Sequence, residues 1–301
     1  MKHSRCSRNA FLAAFFWGFS TLALAQNGAT DESAAYTLPH TEVRTLSSEI
    51  TGVDYVLYIS LPRNYNTAGE RYPVVYTLDA DYAFALTHNI VEHFVDRRNL
   101  PPMMVVSIAY PGASQDIPVY RRNRTRDYTP THTLEGGYGP AFQKYSGGGE
   151  KFREFIAQEL QPFIEKNYYA DPRDRTFVGH SYGGLFGSFV LISKPEMFQR
   201  YILVSPSLWY DNKVIFEMEN KFAAQRDNLH ARVFLGVGSY ENQPQHGRAM
   251  VDDLMALEAA LNAHNYSDLH INSHVFPDET HNSVFPSALT RGLRVVFSDQ
   301  D

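Results

Sequence analysis

Six residues constrain this chain more than any others: Gly179-His180-Ser181-Tyr182-Gly183-Gly184. They follow a short β-like run, Arg175-Thr176-Phe177-Val178, and open an apolar stretch of helical length at 185–192. A serine at so sharp a strand-to-helix turn is held in a strained conformation with its hydroxyl exposed. Side chains two residues before and two after it are expected to collide, so glycine is needed at both places. The bare pattern is common; its context carries the weight, with a strand before, a helix after, and an acid and a histidine further on.

The remaining periodicity supplies that context. Apolar runs predict strands at 42–46, 55–61, 73–79, 103–108, 176–179, 201–205, 232–237 and 270–276. The later ones are almost continuously apolar, which suits a parallel sheet covered on both faces. Helices are expected at 83–97, 150–167, 182–193, 213–226, 247–263 and 285–298. The alternation implies a doubly wound α/β fold with right-handed crossovers and an antiparallel start. Segment 110–149 shows little periodicity and is rich in Gly, Pro, Arg and Tyr; a loop of that length is usually functional.

The N-terminus reads as a secretory signal over residues 1–25: Lys2, Arg5 and Arg8, an apolar core at 10–22, and Ala23-Leu24-Ala25 before Gln26. The apolar run is shorter than the ~20 residues of a bilayer span, so a secreted or periplasmic protein with no transmembrane segment after cleavage is expected. Residues 26–40 read as a loose leader and 41–301 as one domain. Cys6, the only cysteine, falls within the signal. The mature chain is therefore expected to lack disulfides, thiol catalysis and cysteine metal sites. A net charge of -6 argues against nucleic-acid binding. His88 and His93 do not share a helix face, so no metal is expected, nor any other cofactor.

A hydroxyl is a weak nucleophile unless a histidine takes its proton. In the chain order serine, acid, histidine, the base follows the last strand, which selects His281 in Pro277-Asp278-Glu279-Thr280-His281. The acid should follow the penultimate strand, which favours Glu241; Asp211 competes, and a dyad without an acid stays open. Oxyanion donors are expected from the backbone N–H groups of Tyr182 and Asp81.

These pieces together resemble the esterase-D-like branch of the α/β-hydrolases. The landmarks are Tyr76-Thr77-Leu78-Asp79, Arg126-Asp127-Tyr128-Thr129-Pro130-Thr131, the glycine–serine turn, 205–211, 237–242 and Thr280-His281. Within that branch the sequence looks most like the trilactone siderophore esterases. It departs at Asp79-Ala80, where the family usually has Asp-Gly. The resemblance implies an α/β-hydrolase fold with a mostly parallel eight-stranded sheet, and Ser181, Glu241 and His281 as catalytic residues. It implies a small-molecule ester substrate of siderophore type. Alternatives are an acyltransferase like the mycolyltransferases, a feruloyl or acetyl esterase, and a non-catalytic binding protein on the same scaffold. Arg122, Arg124 and Arg126 would then grip a polyanionic catecholate while Trp209 stacks on it. The competing reading of the arginines is a solvated face.

Overall fold

The apolar runs pair into one eight-stranded sheet. The computed structural model describes residues 35–243 and 248–298; the signal segment, Cys6 and most of the leader lie outside them. The chain divides into two units, 1–37 and 38–301, and every element below belongs to the second. Seven sheet strands come first: β1 (Thr41–Ser47), β2 (Asp54–Ser60), β3 (Tyr72–Thr77), β4 (Met104–Ala109), β5 (Ala170–His180), β6 (Arg200–Val204) and β7 (Ala231–Gly238). A separate two-stranded ribbon follows, β8 (Asn242–Gln243) with β9 (Arg248–Ala249), and β10 (Leu269–Phe276) completes the sheet. The spatial order is β1-β2-β4-β3-β5-β6-β7-β10; β2 runs antiparallel to both its neighbours, β1 and β4, and every other pairing is parallel.

The central strands read as unbroken apolar runs because both faces are covered. Alternate residues enter two cores: Val74, Val106, Phe177, Leu203 and Leu235 on one face, Val75, Val105, Val178, Ile202 and Phe234 on the other. The second face is closed by α1 (Ala80–Asp96) and α9 (Val284–Phe297). The first is closed by α4 (Gly149–Phe155), α5 (Gln161–Asn167), α6 (Tyr182–Ser193), α7 (Tyr210–Ala223) and α8 (Met250–Ala263). Strand order reverses at β3, whose neighbours are β4 and β5. Right-handed crossovers on either side of that reversal leave a crevice beyond the carboxyl ends of the strands.

The segment 110–149 is less irregular than its composition implies. It contains α2 (Ile117–Tyr128), capped by Asp116 accepting from the Val119 N–H at 3.4 Å, and a single turn, α3 (Pro140–Gln143). The sequence hides α2 because its buried face is polar: Asn123, Arg124, Thr125 and Asp127 are enclosed together with Tyr128. An apolar stripe cannot reveal a helix that buries hydrogen-bonding groups.

Candidate active site

Ser181 sits between β5 and α6 with φ 60° and ψ -117°, a positive-φ conformation that costs a non-glycine residue energy. It is held there by its neighbours: its N–H donates to the Val204 carbonyl at 3.0 Å, and its own carbonyl accepts from Ser207 at 3.1 Å and Leu185 at 2.9 Å. A Cβ at Gly179 would overlap the Gly183 carbonyl oxygen, so the glycine two before the serine is required. The glycine two after is not: a Cβ at Gly183 would meet nothing nearer than 3.5 Å. The crowded position is Gly184, whose Cβ would lie 2.9 Å from Pro206 Cα.

The structure brings Glu241 and His281 together. His281 Nδ1 lies 2.6 Å from Glu241 Oε2. The other carboxylate oxygen, Oε1, accepts from Ser205 Oγ at 2.6 Å and from the Gly238 N–H at 2.8 Å. Glu241 is 4% exposed, so all of its acceptor capacity is directed at these partners. The turn carrying it is tied to the histidine loop, with the Tyr240 N–H donating to the Glu279 carbonyl at 3.1 Å and the Asp278 N–H to Ser239 Oγ at 3.0 Å. Asp211, the competing acid, accepts instead from Thr131 Oγ1 at 2.6 Å.

Ser181 and His281 line one cavity of about 550 Å³. They make no hydrogen bond within 3.5 Å in this structure. Such contacts are commonly loose in a free enzyme and tighten around substrate.

Tyr182 is the first residue of α6 and Asp81 the second of α1, positions whose N–H groups a helix leaves unpaired. Neither N–H meets an acceptor among the described residues, whereas that of Tyr82 is used by the Asp79 carbonyl at 3.2 Å. Both candidate donors thus lie at helix N-termini, where the peptide dipoles favour negative charge.

The arginines differ from expectation. Arg124 reaches the cavity wall, yet it is 3% exposed and locked in a two-pronged ion pair with Asp79 at 2.7 and 2.9 Å. Arg126 is engaged in the same way by Asp127, at 2.7 and 2.8 Å. Arg122 is exposed and does not line the cavity. Trp209 is on the wall as expected, and the cation beside it is Arg248, 5.0 Å from the indole centroid. Arg248 has no carboxylate partner among the described residues. No motif in the sequence singles it out.

Sequence reasoning also passed over His180, though it lies inside the defining motif. Its ring packs on His281 with centroids 4.7 Å apart, and its Nδ1 is 3.0 Å from the Tyr82 hydroxyl. Burial, then the neighbouring His281 and Arg124, push its pKa well below that of a free imidazole. His180 is therefore a neutral plate against the second histidine.

The family model described as putative esterase matches residues 48–295. The chain is 32% identical over 276 residues to the ferri-bacillibactin esterase BesA of Bacillus subtilis, covering 89% of this chain and 92% of that protein. It is 29% identical over 271 residues to a siderophore enterobactin esterase of Emericella nidulans, covering 79% and 88%. Among solved structures, the BES protein from Bacillus cereus matches with a TM-score of 0.76 at 30% identity, over 89% of this chain and 100% of that one. An IroE-like serine hydrolase from Shewanella oneidensis matches with a TM-score of 0.75 at 27% identity, over 85% and 80%. With this fold, this cavity and these relatives, the chain belongs to the putative esterase family and is an esterase of the α/β-hydrolase fold.

Proposed function

We propose that the protein is an exported serine esterase that opens siderophore-type ester bonds through an acyl-enzyme on Ser181. The observation that carries the mechanism is a buried carboxylate bonded to His281 Nδ1 beside a strained serine on one cavity. A carboxylate on Nδ1 holds the ring with Nε2 free to accept a proton. His281 deprotonates Ser181 as its oxygen attacks the ester carbonyl. The carbonyl oxygen then carries the negative charge, and the N–H groups of Tyr182 and Asp81 stabilise it. Collapse expels the alcohol, which takes the proton back from His281. Water repeats the sequence and releases the acid.

The substrate reading rests on the relatives, described as ferri-bacillibactin and enterobactin esterases, and on one feature of the cavity. Arg248 over Trp209 offers an anionic aromatic ligand a charge and a ring face together. The basic, apolar, small-residue N-terminus supports export. The test assays the wild type against a panel of ferric trilactones, feruloyl sugars and p-nitrophenyl esters, with products scored for acyl transfer to added polyol, and repeats the panel with Ser181→Ala. Loss of all turnover with folding unchanged is expected. Retained turnover refutes the mechanism, and trilactones as the poorest substrates refute the substrate class.

A further inference from the structure

We infer that Arg124 is a positioning residue: it draws the Asp79 carboxylate off the N-terminus of α1 and ties that loop to the nucleophile turn. The inference rests on the serine-esterase reading above.

Asp79 is the residue before α1, where an aspartate ordinarily folds back and accepts from N–H groups of the first turn. Here it makes no such bond. Its carboxylate faces Arg124 Nε at 2.7 Å and Nη2 at 2.9 Å, and also accepts from the Tyr120 hydroxyl at 3.1 Å and the Tyr82 hydroxyl at 3.3 Å. Its backbone is left-handed, φ 54° and ψ 48°, and its N–H donates to the Tyr128 hydroxyl at 3.3 Å. Three of these groups, Tyr120, Arg124 and Tyr128, stand on α2. The segment that looked like a loop therefore determines how the turn after β3 is held.

The same guanidinium reaches across the site. Arg124 Nη2 also donates to the His180 carbonyl at 2.8 Å, one residue before Ser181, and Nη1 donates to the Tyr138 hydroxyl at 2.9 Å. One planar group thus spans the two turns that supply the candidate oxyanion donors, a geometry that lysine cannot reproduce. The consequence is electrostatic as well as steric. Without Arg124 the carboxylate is free to turn toward the Asp81 N–H, the second position of α1, occupying that donor and placing a negative charge where the oxyanion develops.

The experiment compares wild type, Arg124→Gln, Arg124→Lys, Arg124→Gln with Asp79→Asn, and Ser181→Ala. Each is checked for folding by circular dichroism and thermal melting, then assayed on a neutral and an anionic p-nitrophenyl ester. Arg124→Gln should lower kcat about 100-fold on both esters, the size of losing one oxyanion donor, with KM little changed. Arg124→Lys should recover only part of this, and Asp79→Asn added to Arg124→Gln should recover about tenfold by removing the stranded charge. Folded Arg124→Gln with wild-type kcat overturns the inference, as does a loss confined to KM for the anionic ester. Failure of the second substitution to restore any activity also overturns it. Should Arg124→Gln not fold, Arg124→Lys decides: lowered kcat on both esters supports the clamp, and unchanged kcat overturns it. Activity retained by Ser181→Ala refutes the serine mechanism instead, so the two failures are distinct.

Discussion

Replacing Glu241 with glutamine should inactivate the enzyme while leaving its fold intact, and the surrounding donors explain why. Oε1 of Glu241 accepts from both Ser205 and Gly238, so that position must remain an oxygen. The amide nitrogen of the substituted side chain is thereby directed at His281 Nδ1, where Oε2 now lies at 2.6 Å. An N–H donor there forces the imidazole proton onto Nε2, the atom that accepts the proton of Ser181 in the proposed mechanism. Turning the amide over would set its NH2 against the buried Gly238 N–H, at about 1–3 kcal/mol for the lost bond. The same acid-to-amide exchange in a serine-protease triad costs about 10⁴-fold in kcat, about 5.5 kcal/mol. The assay is kcat and KM on a p-nitrophenyl ester, with urea unfolding as the control. Glu241→Gln should lose kcat by about that factor with KM and stability nearly unchanged. Activity of Glu241→Gln within about tenfold of wild type would refute the reasoning.

Further expectations concern the turn, the neutral histidine and the pocket cation. Gly184→Ala places a methyl 2.9 Å from Pro206 Cα and should cost about 1–3 kcal/mol by overpacking. Gly183→Ala should stay within about 1 kcal/mol of wild type; equal losses in urea unfolding would contradict the geometry. Because the folded pKa of His180 is lowered, the unfolded chain binds a proton that the native one refuses. Stability is then full above about pH 6.5 and declines as the pH falls below it. His180→Gln should remove that decline, and parallel stability curves would exclude it. Arg248→Ala should raise KM for an anionic aromatic ester about tenfold and leave a neutral ester unaffected, whereas Arg122→Ala should alter neither. A larger effect at Arg122 would reverse the assignment.

The sequence by itself determined the parts of this molecule that depend on local rules. The strained serine turn, the strands at β1 to β7 and β10, and the loop delivering His281 are all legible because each is written in contiguous residues or in a period of two. Helix α6 lies at 182–193 as its apolar run implies. What only the tertiary structure decided are pairings between residues far apart in the chain: Glu241 rather than Asp211 on His281, Asp79 on Arg124, and Arg248 on Trp209. An arginine available to a ligand and one engaged in a buried ion pair look identical in sequence. Burial and a partner 45 residues away distinguish them, and both are properties of the packed chain.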